Sequence, residues 1–241
     1  MRGVARWAAG WATGRPAPSP GAADNAAVSN PQTIAVIDFE TTGMSPALGA
    51  RATEIAAVLV RDGRIVGRFA SLMRSGAQVP PFIQQLTGIS NRMLHSAPPA
   101  AEVMREVTAF TRGCGVVAHN ASFDAAFWRH EQALAGDLSA APTAPTDFAC
   151  TLLLSRRLYP EAPNHKLGTL AALHGITRTG RAHRALADAE VTAELWLRIT
   201  HDVRRRYAAS TPFGLLCALQ YAPRAALAGC AERYFAAAPV S

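Results

Sequence analysis

Apolar residues along this chain follow two rhythms, and the change from one to the other sorts it into elements. From about residue 33 to 71 the hydrophobic runs are short and bounded by turn residues. They predict strands at about 33–40, 54–60 and 64–71. Asp62-Gly63 between the second and third is a tight-hairpin signal, so three antiparallel strands open the fold. After Pro80-Pro81 the spacing turns helical. A short helix runs through Leu86 and stops at Gly88. A second covers about 99–112, with Val103, Val107 and Phe110 on one side, and Gly113 and Gly115 break it.

A short buried strand follows at 115–119. Asn120 or Ser122 caps a helix that runs to about Ala135, and 136–145 is a proline- and glycine-marked loop. Residues 146–151 predict a strand that passes into a helix through Leu158. A short helix at 166–174 and a long one from Arg184 to about Arg206 complete the series. Three strands followed by alternating helices and strands predict an α/β fold, a mixed sheet with helices on its faces.

At the N-terminus, Pro16, Pro18, Pro20 and Gly21 sit among alanine and serine, the composition of a disordered extension over 1–31. The folded domain is expected over 32–200. Residues 201–241 are expected to form a helical C-terminal extension, with apolar helix around 213–219 and 225–235.

Net charge is +7, and Lys166 is the single lysine, so the positive charge is carried by arginine. Arginine pairs well with phosphate, which suits a polyanionic partner. A GC-rich genome would also raise arginine content, so charge alone does not choose the partner. Cys114, Cys150, Cys217 and Cys230 form no C-x-x-C pair and no zinc spacing. They read as free thiols in a reducing compartment, and a cytoplasmic location is expected. No charge-free apolar run reaches the ~20 residues of a membrane span, so no membrane partner is expected.

The chemistry begins on the first strand. Asp38 and Glu40 stand at i and i+2 and leave the same face as Ile34 and Val36. Two carboxylates beside core are costly unless a cation compensates, and hard divalent metals are the natural candidates. Asp124 falls in the first turn of a helix, a position the helix dipole alone would favour. Asp188 shares a helical stripe with Val191 and Leu195 and therefore faces the core. His183 lies about 140° round the axis from Asp188 in a continuous helix, so the two converge only if His183 sits on the preceding loop. Four carboxylates and a histidine suit two Mg2+ or Mn2+ ions and in-line displacement at phosphorus.

Asp38-Phe39-Glu40-Thr41-Thr42-Gly43, His119-Asn120-Ala121-Ser122-Phe123-Asp124 and His183-Arg184-Ala185-Leu186-Ala187-Asp188-Ala189 closely resemble the three motifs of the DEDDh family of 3′→5′ exonucleases. That group includes ribonuclease T and the proofreading epsilon subunits of bacterial DNA polymerase III. The resemblance covers about residues 33–200. It implies a ribonuclease H-like mixed sheet of five strands flanked by helices, and release of nucleoside 5′-monophosphates from 3′ ends. It further implies that Asp38, Glu40, Asp124 and Asp188 hold two Mg2+ or Mn2+ ions and that His183 is the general base.

The resemblance also implies substrate contacts at Thr41, Thr42, Gly43, Thr87, Gly88, Ile89, Asn120 and Phe123, with the apolar Ile89 against the terminal bases. Core packing is the competing expectation for Ile89. Cys150 stands where many relatives carry an aspartate. The expected partners are 3′ ends of single-stranded DNA or RNA, DNA favoured, with a DNA polymerase subunit as a further candidate. An RNA-trimming exoribonuclease and a noncatalytic polymerase-associated binding subunit are the alternatives.

Overall fold

The computed structural model describes residues 32–136 and 148–237. The expected disordered extension at 1–31 and most of the expected loop at 136–145 lie outside these residues.

Five strands form one mixed sheet: β1 (Ile34–Thr41), β2 (Ala52–Arg61), β3 (Arg64–Leu72), β4 (Gly115–Ala118) and β5 (Phe148–Cys150). Their order across the sheet is β3-β2-β1-β4-β5. The β1–β2 and β2–β3 pairs are antiparallel, and β1–β4 and β4–β5 are parallel. Asp62 and Gly63 both adopt the left-handed backbone of the tight hairpin that joins β2 to β3. The β1–β2 register slips after Glu40, where Thr41 pairs with Ala52. The extra residue, Thr53, lies on β2 directly opposite the end of the acidic stretch, so it is β2 that bends there.

The helices are α1 (Pro81–Thr87), α2 (Asn91–His95), α3 (Ala100–Phe110), α4 (Ala121–Ala135), α5 (Thr151–Leu158), α6 (Leu167–Leu173), α7 (Ala185–Arg206), α8 (Phe213–Leu219) and α9 (Leu227–Ala236). Helix α2 is too short for its apolar spacing to show in the sequence. Its N-terminus is set by Ser90, whose hydroxyl accepts from Met93 N at 3.2 Å.

The two faces of β1 feed two cores. Ile34 and Val36 join Val58 and Val60 against α7, α8 and α9. Ile37 and Phe39 join Ile55 against α3 and α4. Asp38 and Glu40 thus continue the stripe that faces α7.

The core runs past the expected boundary at residue 200, which falls inside α7. Leu215, Leu216 and Leu219 of α8 and Leu227 of α9 are buried in the α7-side core. A Cβ on Gly115 would lie 2.8 Å from the Phe213 ring, so glycine there lets α8 approach β4. Gln220 finishes the edge of the sheet. Its Oε1 accepts from Cys150 N at 2.7 Å and its Nε2 donates to Phe148 O at 3.1 Å, as a neighbouring strand would. Among the described residues no helix is long and apolar enough to cross a membrane.

Candidate active site

The carboxyl ends of β1 and β4 point the same way, and β1 connects onward to β2 on the opposite side. Such a parting of the chain at strand ends leaves a crevice where ligands bind. Asp38 and Glu40 occupy it from β1. Asp124 enters from the first turn of α4, and its Oδ1 accepts from Phe39 N at 3.1 Å. Asp188 enters from the first turn of α7.

His183 lies on the loop before α7, as convergence requires. Its backbone is left-handed, with φ 59°. That kink turns its N–H onto Asp188, whose Oδ2 accepts it at 3.0 Å. Glu40, His183 and Asp188 each present a ligand atom within 4.8 Å of the others.

Asp38 stands against Asp124, Glu40 and Asp188, so all five expected positions meet at one place. Burial raises the Asp38 carboxyl well above the usual range, and the charges of Asp124, Glu40, Asp188 and Glu54 add to it. Burial also pushes Glu40 up to about 8, with Asp188 and Glu54 adding and Arg184 opposing. Asp124 is pushed up to about 8 by burial, although the Phe39 N–H opposes the shift. Crowded, desolvated carboxylates of this kind hold protons unless a cation replaces them. The carboxylate oxygens of Asp38, Glu40, Asp124 and Asp188 fit hard divalent ions, and the His183 imidazole lies beside them. A cation already lies against one of the acids, since the Arg178 guanidinium is bonded to Asp188.

Residues the sequence motifs did not single out hold this constellation. Glu54 pairs with Glu40 across the β1–β2 ladder. Its Oε1 accepts from Arg184 at 2.6 Å, and its Oε2 accepts from Arg184 Nε and Ala185 N, both at 3.0 Å. Glu54 thereby caps α7 from another element and fixes the motif that carries His183 and Asp188. The available signal was one acid inside an otherwise apolar strand run.

Buried Glu131 of α4 acts similarly on the loop after β1. It takes Arg51 through both oxygens at 2.9 Å and Ala52 N at 3.0 Å. His119 is half-buried, with Nδ1 2.9 Å from the Thr151 hydroxyl and Nε2 3.0 Å from His165 O. Because a carbonyl only accepts, Nε2 carries the proton and Nδ1 accepts from Thr151. Burial pushes its pKa down to about 4, so the ring is a neutral strut. Cys150, in the place of an aspartate, keeps an acceptor there, since its sulfur takes Ala121 N at 3.4 Å.

The expected substrate residues divide. Thr41 is buried, and its hydroxyl donates to Gly43 O at 2.7 Å. The Thr42 hydroxyl accepts from Arg51 N at 3.0 Å. These side chains shape the loop, and Gly43 packs so that a Cβ would lie 3.3 Å from Ala50. Asn120 is exposed with φ 64°, and it makes no side-chain cap. Its left-handed backbone, in place of the expected cap, brings the chain from β4 sharply into α4. Phe123 is half-buried against Phe127.

Thr87 is buried, and its hydroxyl accepts from Ile89 N at 3.0 Å. Ile89 is fully buried with Val79 and Leu94, so its side chain packs in a small core and faces no crevice. Gly88 is left-handed, and a Cβ there would lie 2.5 Å from the Arg181 guanidinium, which donates to Gln85 O.

Residues 35–196 match the family described as RNase_T: Exonuclease. The chain is 38% identical over 176 residues to the 3′-5′ exonuclease DinG of Bacillus subtilis, covering 73% of this chain and 18% of that protein. It is 37% identical over 177 residues to a DNA polymerase III subunit epsilon-like protein of Rhodobacter capsulatus, covering 72% and 24% respectively. The chain thus spans a quarter or less of the length of these relatives.

Among solved structures, Exonuclease X in complex with 5′ overhanging duplex DNA superposes with a TM-score of 0.54 at 29% identity. The match covers 70% of this chain and 91% of that one. The nuclease domain of 3′hExo, a DEDDh family member bound to rAMP, shares the fold. Its TM-score is 0.60 at 22% identity, over 72% of this chain and 94% of that one.

Proposed function

The chain belongs to the DEDDh 3′-5′ exonucleases of the RNase T family, and from that premise we propose that it hydrolyses single-stranded 3′ ends, DNA in preference to RNA, to nucleoside 5′-monophosphates. The observation that carries this reading is the convergence of Asp38, Glu40, Asp124, Asp188 and His183 in one crevice, with three carboxyl groups crowded into holding protons. A protein that only binds nucleic acid has no use for so costly a cluster.

Asp38, Glu40, Asp124 and Asp188 would hold two divalent ions, Mg2+ or Mn2+, which when bound would lower the pKa of water and neutralise charge on the phosphate. Asp38 is buried within reach of the charges of Asp124, Glu40 and Asp188, so its carboxylate would be part of that donor set. His183 is exposed on its loop and takes the proton of the attacking water. Its backbone N–H, fixed on Asp188, keeps the ring beside Glu40 and Asp188. The loop from Thr41 to Gly43, with its hydroxyls engaged internally, offers backbone to the terminal nucleotide. Exposed Asn120 and half-buried Phe123 contact the same nucleotide from the start of α4.

DNA is favoured because the Rhodobacter relative is described as epsilon-like and the Exonuclease X structure holds DNA. The epsilon-like description also motivates a polymerase subunit as partner. Four cysteines without a C-x-x-C pair fit a cytoplasmic enzyme.

The test is digestion of matched 5′-labelled single-stranded DNA and RNA with Mg2+ or Mn2+, with Asp38→Ala as control. Stepwise shortening from the 3′ end, faster on DNA and absent in the variant, is the expected result. Equal or faster shortening of RNA would assign the chain to RNA trimming. Tight binding without hydrolysis would make it a noncatalytic subunit.

A further inference from the structure

Helix α5 leads away from the crevice. Its first residue, Thr151, bonds the His119 strut, and its last turn carries Arg156 and Arg157, ~10 Å further along the axis. Arg157 Nε donates to Ala222 O at 2.9 Å, and Arg206 donates to Leu158 O at 3.1 Å. Those two bonds gather the ends of α5 and α7 and the turn after α8 into one surface. Arg224 follows on that turn, exposed.

Tyr221 directly precedes Ala222, which Arg157 bonds, and 71% of its surface is open to water. Its neighbour Gln220 is fully buried on β5, so the ring is held outward by a fixed backbone. Arg156, Arg157, Arg206 and Arg224 make no ion pair among the described residues. Asp202, the acid nearest Arg206 along the chain, is buried and bonded by Tyr159 and Arg198. Glu161 is the exposed acid beyond α5. Arginines near a helix end complement its dipole, which accounts for Arg156, Arg157 and Arg206 taken singly. The dipole does not account for Arg224 or for a bare aromatic ring among them.

We propose that Tyr221 with Arg156, Arg157, Arg206 and Arg224 forms a second contact for single-stranded nucleic acid, upstream of the 3′ end held in the crevice. The aromatic face stacks a base without regard to its identity, and the guanidinium groups take the phosphates beside it. Arg156 and Arg157 lie inside the matched exonuclease region, and Arg206, Tyr221 and Arg224 follow it, so the contact joins the two. It extends the strand path beyond the first few nucleotides, since ~10 Å is about three stacked nucleotides. The inference rests on the nucleic-acid reading of the crevice, and the test separates the two.

The experiment compares the dinucleotide dT2 with dT20, using wild-type chain and the variant Arg156→Ala/Tyr221→Ala/Arg224→Ala. All three side chains are exposed, and none has a hydrogen-bond partner among the described residues. Binding of dT20 is followed by fluorescence anisotropy in EDTA across a salt series, and turnover of both oligonucleotides is measured with Mn2+. The variant should bind dT20 ~10-fold more weakly or worse and turn over dT2 at the wild-type rate. Its slope of log K against log salt should fall by about 1.4, the share of two lost phosphate contacts. Tyr221→Phe in the otherwise native chain should keep wild-type affinity, since the stacking face remains.

Unchanged dT20 affinity and salt slope in the triple variant would overturn the contact even if wild type cleaves both lengths. Variant-sensitive dT20 binding with no turnover by wild type would sustain the contact and overturn the exonuclease reading. No dT20 binding by wild type would overturn both. Displacement of dT20 by polyglutamate at equal charge would overturn the nucleic-acid assignment in favour of an acidic protein.

Discussion

Glu54 grips Arg184 through both carboxylate oxygens, and one of those oxygens also takes the first amide of α7. A strand residue thereby sets where the long helix begins, and with it where Asp188 and His183 stand relative to β1. Glu54→Ala leaves that amide and part of the guanidinium without a partner. Because Arg184 is partly open to water, the expected loss is modest, about 1–3 kcal/mol by urea denaturation. Activity should fall further than stability explains, since α7 is no longer pinned. A variant as stable and active as wild type would show that α7 is placed by packing alone.

Binding of divalent ions should depend steeply on pH. Folding raises the carboxyl groups of Asp38, Glu40 and Asp124, the last two to about 8. For an acid raised in the folded state, the folded form binds more protons than the unfolded form. The metal-free protein therefore loses stability as pH climbs from ordinary carboxylate values to about 8. An ion entering the crevice must displace those protons, so its affinity should rise over the same interval. Calorimetry of Mn2+ binding at pH 6.5 in two buffers of different ionisation enthalpy should show protons released. Asp38→Asn should release fewer and bind Mn2+ weakly. Equal heats in the two buffers would mean that the acids are already ionised.

His183→Ala should slow turnover ~100- to 10,000-fold, the usual range for removing a general base, while Mn2+ affinity stays within a few-fold of wild type. Its backbone N–H, which fixes Asp188, survives the substitution. If Mn2+ affinity collapsed and saturating metal restored the rate, the imidazole would be a ligand.

Arg178 competes with any ion for the carboxylate of Asp188. Arg178→Ala should therefore bind Mn2+ several-fold more tightly in calorimetry. Weaker binding would show that the guanidinium positions Asp188 for the ion.

Sequence order alone carried the fold class, and it named the acids and the histidine that folding brings together. The strand pattern, the Asp62-Gly63 hairpin and the three acidic motifs are local signals, with periodicities of two and 3.6 written directly into residue spacing. The same geometry required His183 to sit on a loop, which its left-handed backbone confirms. Glu54, Arg184, Arg51 and Glu131 were not legible, because each acts on a residue brought to it only when strands pair and helices dock. A lone acid in an apolar strand gives no sign of its partner 130 positions away.

Ile89 shows the limit in the other direction. Its motif suggested the crevice, but packing against Val79 and Leu94 decided for the core. The tail shows it again. Apolar spacing predicted helices beyond residue 200, and only the sheet's open edge at β5 decided that Gln220 would complete it. The sequence by itself determined the elements and the chemical groups they carry, since those depend on neighbours along the chain. Tertiary structure decided which carboxylates crowd together and which cations hold them, because burial and charge repulsion exist only between residues that folding makes neighbours.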